Sequence, residues 1–516
     1  ILCHMLLAEL QPGRVDGKHE FVARQAPDAS FFDTFLMPEN VPISDIEKGN
    51  IFFIKGFRGT GKTSLLRYFV FSQDIPKENR KLILFKTGLS EEEKLEISQQ
   101  VGIKWDDVDS RKMEVSQNFK QAWIWRIFHE IGTILRERPQ DANGNAANFL
   151  KILGLQGESP FDKIMGFFPK IDGVHINLRG NVGFFEGQLG ADLQKKGNEA
   201  RTTLQALNRA LKAELVSVSL NEKIIIAFDE LEAFFETEER YHRDLRMVRD
   251  IIFATSEFNE YCRTQGIPVY IYAAIRTEIL DAMRVVGHEV ERESHDFGVT
   301  LAWHYAPRSI DHPLLNLVRK KIRANFLNKQ NNEDILFKFF PKRVQSEPLD
   351  KYLLDGSFYK PRDLMWRLTI AQKNFPKKKK FDGEVLTRTR SEYSSELWKE
   401  VEYELSAAYN KEEIAAITML FSGIAQYFSL EDMEKRAEVK TKQAERVRKL
   451  MQRKSMGDIL TDLYRLGAIG NAFRAAPRSG AIRNRWIFRG DSDLLLDRRM
   501  QLHPALIERL SGVRGQ

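Results

Sequence analysis

The chain has 516 residues, 42% of them hydrophobic and 29% charged, which exceeds a single core and predicts about two to four domains. No apolar run is long enough to cross a bilayer, and the first residues carry no signal-peptide pattern. Cys3 and Cys262 are the only cysteines, which excludes a disulfide framework or a thiolate zinc cluster and predicts a reducing, cytoplasmic setting. The net charge of +7 is uneven, because residues 436–516 hold 18 Lys and Arg against 8 Asp and Glu, leaving the rest about −3.

In chain order, Ile43–Asn50 read as a short helix and turn before a strand at Ile51–Ile54. That strand runs into Gly56-Phe57-Arg58-Gly59-Thr60-Gly61-Lys62-Thr63, and a helical pattern follows from Ser64. Strand, glycine loop and helix are the context in which G-x-x-x-x-G-K-[ST] is a phosphate site. The glycines let successive N–H groups converge on phosphate oxygens, and the helix adds the positive end of its dipole. Gly56, Arg58, Gly59, Thr60, Gly61, Lys62, Thr63 and Ser64 are therefore the expected nucleotide-binding residues. Lys62 would reach the β- and γ-phosphates, and the Thr63 hydroxyl would ligate Mg²⁺.

A second strand is expected at 81–86. A helix follows at 118–136, with Phe119, Trp123, Ile124, Ile127 and Phe128 on one face. Residues 140–200 look like an insertion containing a hairpin, 174–178 with 182–185. A helix at about 198–215 leads to the most hydrophobic strand, 223–228, which ends in Asp229 and Glu230. Carboxylates at the carboxyl end of a buried strand are placed for ligand chemistry. Asp229 suits the Mg²⁺ shell, Glu230 suits activation of a water, and Glu232 reads as structural. Another strand, 269–275, ends in Arg276, which would lie near the γ-phosphate. His288 and His295 lack metal spacing and read as part of a polar loop. A fifth strand is expected at 299–303. Apolar strands alternating with helices imply a parallel sheet covered on both faces.

Residues 313–375 are helical in pattern, and Pro361-Arg362-Asp363-Leu364 opens a helix that could bring Arg362 to the nucleotide. Lys377–Lys380 read as a solvated linker, with a further helical domain beginning near Ser394. Helices are expected at 412–424, from Ser429 as N-cap, at 441–451 and at 459–466, then strands at 469–473 and 485–488. Helices followed by a two-stranded wing are similar to a winged helix. If it binds DNA and not a protein, its helix from 441, with Arg446 and Arg448, would lie along a groove while Arg478, Arg483 and Arg485 touch phosphates.

The order of glycine loop, strand ending Asp-Glu, strand ending Arg and Pro-Arg-Asp-Leu resembles the AAA+/STAND group of P-loop ATPases over about residues 30–490. It is closest to bacterial members with a C-terminal winged helix associated with phage defence. The resemblance implies an α/β P-loop NTPase core at 1–305 with a mainly parallel sheet, a helical lid at 306–375, a linker and helix start at 376–410, and a winged helix at 411–516. It implies ATP with Mg²⁺, catalytic roles for Lys62 and Glu230, metal ligation by Thr63 and Asp229, and sensor roles for Arg276 and Arg362. It also implies a homo-oligomer and a partner effector such as a nuclease, since no nuclease, protease or TIR-like constellation is present. Arg243, Arg246, Arg249 and Arg308 remain open as arginine fingers. The alternatives are a DNA-binding loader similar to origin-recognition ATPases and a scaffold that binds nucleotide without turnover.

Overall fold

The computed structural model describes residues 5–10, 15, 29–72, 75–94, 118–138, 144–155, 204–233, 237–285, 290–326, 334–474, 482–491 and 493–511. Within it, Phe53–Gly56 (β1), Arg80–Leu84 (β2), Ile224–Leu231 (β3), Val269–Arg276 (β4) and Gly298–Thr300 (β5) form a five-stranded sheet in the order β2-β3-β4-β1-β5. Every neighbouring pair is parallel. The continuous burial of Ile224–Asp229 follows, since a parallel strand is covered on both faces. The register sets Gly56 beside Arg276 and Leu84 beside Asp229, so the loop, the acids and the arginine share one sheet edge. β5 is shorter than its sequence pattern, because from Leu301 the chain leaves the sheet and carries Trp303 toward the glycine loop.

The helix expected at 118–136 is Asn118–Arg136, and it packs against Glu238–Gln265 and Leu204–Ser217. Its Trp123 is fully buried, 6.1 Å from both the Phe85 and Phe228 rings, and its indole N–H donates to the Met247 carbonyl at 3.1 Å. Trp123→Ala is expected to destabilise the fold by about 3–5 kcal/mol. Denaturant midpoints measure this, and a loss below about 1 kcal/mol would contradict it. Of the insertion read at 140–200, the described part contains the helix Ala147–Ile152, whose Phe149 meets Phe128 edge-on at 6.0 Å. The hairpin read at 174–185 lies outside the described residues.

A second apolar core begins at Trp303 and runs to Leu510, joined by Leu7 and Leu10. It takes in helices Pro313–Arg323, Ile335–Phe339, Leu349–Leu354, Pro361–Asn374, Gly383–Arg388 and Arg390–Leu405. A small ribbon, Arg343–Val344 (β6) with Glu347–Pro348 (β7), interrupts the helical pattern. The four-lysine run is a short turn between two helices of this core. Phe381 behind it stacks on Phe340 at 4.9 Å, and Lys378 pairs with Asp382 and Glu384. The helix read as starting near Ser394 begins at Arg390.

Tyr427–Phe428 (β8), Ile469–Arg474 (β9), Ile482–Arg485 (β10) and Met500–Leu502 (β11) form an antiparallel sheet in the order β10-β9-β11-β8. Helices Lys411–Phe421, Leu430–Gln443, Glu445–Arg453 and Met456–Arg465 precede its long strands. Ser429 caps its helix as expected, accepting from the Asp432 N–H. Two boundaries differ from the sequence reading. The helix expected across 441–451 is broken by extended backbone at Ala444. The last expected strand ends at Arg485, because Ile487–Arg489 turn into a 3-10 helix closed by Gly490.

Candidate functional site

The loop after β1 is shaped by glycine where glycine is required. Gly59 has φ +83°, and a Cβ there would stand 3.0 Å from Arg362 Cβ, so a larger residue would strain the backbone and push the Pro361–Asn374 helix away. Gly56 has φ +155°, with room taken by Thr60 Oγ1 and the Leu301 carbonyl. Thr60 Oγ1 donates to the Phe57 carbonyl at 2.8 Å, and the Trp303 indole donates to the Thr60 carbonyl at 2.8 Å. The second core thus fixes the loop from outside.

Lys62 opens the helix Lys62–Ser72, and its ammonium turns back to donate to the Gly56 carbonyl at 2.6 Å and the Phe57 carbonyl at 2.8 Å. Burial pushes its pKa down to about 7, and the nearby Glu278 carboxylate partly offsets this. Glu278 lies in the first turn of the helix after β4, Thr277–Val285, and also accepts from the Arg58 N–H at 3.2 Å.

Thr63 Oγ1 donates to Asp229 Oδ1 at 3.3 Å, and the same oxygen accepts from the Glu230 N–H at 2.8 Å. Asp229 Oδ2 is buried without a hydrogen-bond partner among the described residues. Burial raises the Asp229 pKa. An anionic oxygen so placed wants a cation, and with the Thr63 hydroxyl it offers the hard donors that Mg²⁺ takes. Glu230 has φ +58°, where β3 and β4 shift register between Phe228 and Leu231. Such a backbone costs about 1–3 kcal/mol and is characteristic of functional sites, and the bulge re-aims the side chain. The Glu230 carboxylate accepts from Thr87 N at 3.1 Å and Thr87 Oγ1 at 2.6 Å, just past β2.

Arg276 pairs with Glu232, whose second oxygen lies 3.3 Å from Lys86 Nζ and accepts from the Tyr403 hydroxyl at 2.8 Å. These partners hold Glu232 below the usual carboxylate range despite burial, which by itself would raise it. Arg362 reaches the loop from the second core, and its Nη1 lies 3.1 Å from Glu400. One cleft is lined by Arg58–Leu65, Asp229–Glu232, Arg276 and Arg362, with Phe35, Leu36 and Leu317 on an apolar wall. It brings together every site residue read from the sequence except Gly56, which lies directly beneath it. Glu278, Thr87, Lys86, Glu400, Tyr403 and Trp303 had no site role in that reading. Lys86 and Glu278 had a signal, their place at strand ends. Glu400 and Tyr403 had none.

Of the open arginines, Arg243 and Arg249 are buried in ion pairs with Asp244 and Asp250. Arg308 pairs with Asp355 at 2.6 Å. In the C-terminal segment Arg446 and Arg448 are 45% and 56% exposed, with Glu412 and Glu445 as their respective neighbours, and Arg485 pairs with Asp491. Arg478 and His288 lie outside the described residues, while His295 is in the short helix Glu291–Asp296. Among the described residues no group of His, Cys, Asp and Glu could hold a metal as a cluster, and no helix is long and apolar enough to cross a membrane.

No curated protein and no solved structure matches this chain. Residues 312–402 match the FunZ-associated C-terminal helical domain, a stretch that includes Arg362 and Glu400.

Proposed function

We propose that the chain is a P-loop ATPase of the AAA+/STAND type whose nucleotide state acts as a switch. The observation that carries the reading is the Asp229 carboxylate beside the glycine loop, one oxygen accepting from the Thr63 hydroxyl and the other buried without a partner among the described residues. In this reading the loop N–H groups and Lys62 bind the phosphates, and Thr63 with Asp229 would hold Mg²⁺, which would supply positive charge against the phosphates. Glu230 takes the proton of an attacking water, and Arg276 and Arg362 stabilise the γ-phosphate from two sides. Phe35, Leu36 and Leu317 offer the base an apolar wall.

The segment 411–516 serves as a winged helix that passes the state on. Duplex DNA is its second-ranked partner, because the exposed cations of Glu445–Arg453 have neighbouring carboxylates while Met456–Arg465, the helix leading into β9, carries Asp458 and Asp462. A protein effector such as a nuclease, contacted by a homo-oligomer in the cytoplasm, fits the switch better. Bacterial defence is the setting implied by the resemblance, and the match over 312–402 is consistent with it.

The test is phosphate release from Mg²⁺-ATP by the full chain, together with binding of a fluorescent ATP analogue. Lys62→Ala, which deletes a buried charge that the phosphates would engage, is expected to weaken binding by about 2–5 kcal/mol, roughly 30-fold or more. Absence of binding by the wild-type chain would overturn the reading.

A further inference from the structure

The edge of the helix Arg390–Leu405 closes over the arginines of the cleft. Glu400 Oε2 lies 3.1 Å from Arg362 Nη1 and 3.4 Å from Arg58 Nε, so one carboxylate oxygen holds both guanidinium groups. One turn on, the Tyr403 ring lies 3.5 Å beneath the Arg58 guanidinium carbon and 5.6 Å from that of Arg276. Its hydroxyl donates to Glu232 and meets Lys86, and Glu232 in turn holds Arg276. Next to it Glu404 lies 3.5 Å from Lys360, two residues before Arg362. The arginines that line the cleft are thus all engaged by this helix edge or by the carboxylate it binds.

A carboxylate and a phosphate both present a guanidinium with anionic acceptor oxygens. We propose that the Glu400–Tyr403 edge is an internal stand-in for a terminal phosphate, which a triphosphate must displace and a diphosphate leaves in place. The inference rests on the nucleotide reading of the cleft and adds its regulation. Displacement has a direct path onward. The same helix packs against Pro504–Leu506 and Ile507–Leu510, and Ser394 Oγ accepts from the Arg509 N–H at 3.0 Å. Loosening this helix therefore loosens the end of the C-terminal segment.

Competition of this kind lowers apparent affinity by the fraction of molecules in the open state. The test compares Mg²⁺ with the β,γ-imido analogue of ATP and with ADP, by calorimetry on the full chain and on two conservative variants. Glu400→Gln removes the competing charge with little change of shape. It is expected to bind the triphosphate analogue about tenfold tighter, with ADP affinity unchanged. Tyr403→Phe keeps the ring and removes the bond to Glu232, and is expected to move the same way by less. In the wild-type chain, amide exchange across 396–405 is expected to quicken with the triphosphate analogue and to stay unchanged with ADP. Equal triphosphate affinities with unchanged or slowed exchange, while Lys62→Ala still weakens binding, would overturn the stand-in and spare the nucleotide site. No triphosphate binding by the wild type or either variant would overturn both.

Discussion

Glu230→Gln is expected to lower phosphate release by about 10²–10⁴-fold, the range over which a positioned general base contributes. Triphosphate binding should remain close to wild type, so that bound, unhydrolysed nucleotide accumulates. The amide keeps the shape and can still accept the Thr87 hydrogen bonds made by Oε2, so the strained backbone at φ +58° is retained. What is lost is the ability to take a proton. Phosphate release and filter binding on the same preparation separate the two quantities. Unchanged release would remove Glu230 from the base role, and lost binding would assign it to nucleotide affinity instead.

Lowering the pH from 7 to 5 is expected to cost the second core about 2 kcal/mol at each of two histidines, since each pKa unit is worth about 1.4 kcal/mol. His312 and His503 both precede a proline that opens a helix, and both cap it. His312 Nδ1 accepts from the Leu314 N–H at 3.2 Å, and His503 Nδ1 from the Ala505 N–H at 3.2 Å. Only a neutral imidazole has an acceptor to offer. Both rings are buried, His503 against Phe358 at 4.4 Å and Trp486 at 4.9 Å.

Burial pushes His312 down to about 4, and burial with nearby Arg489 and Lys360 pushes His503 down to about 3. The sign follows from which state holds the proton. Above about pH 6.5 neither state binds it, and this part of the stability is complete. As the pH falls through 6.5 toward 4 and 3 the unfolded chain takes up protons that the folded chain refuses, and stability falls. The measurement is the urea midpoint at pH 7 and pH 5 for the wild type and for a His312→Asn, His503→Asn double variant. Asparagine caps without titrating, so the variant should lose markedly less. Equal losses would show that other groups dominate the acid response.

The glycine loop, Asp229, Glu230 and Arg276 were legible in the sequence because each depends on a short stretch of chain. A strand that ends, a turn that needs glycine and a helix that starts are local events, and the parallel sheet brings those strand ends to one edge. Arg362 was legible through the Pro-Arg-Asp-Leu helix start, although its packing on Gly59 was not. The sheet itself followed from apolar runs separated by helices. The break at Ala444 did not, since the polar sequence around it continues a helical pattern and only packing of the two short helices selects extended backbone there.

The remaining parts of the cleft are pairings over long separations. Thr87 meets Glu230 across 143 residues, Tyr403 meets Glu232 across 171, and Lys86 meets Tyr403 across 317. Glu400 and Tyr403 sit on an amphipathic helix whose acids look, along the chain, like any solvated face. The sequence by itself determined where the glycine loop and the strand-end acids sit, through backbone conformation that only certain residues allow. The tertiary structure decided what faces that site: two cores meet over the loop, and burial forces its cations to take the nearest carboxylates and ring as partners.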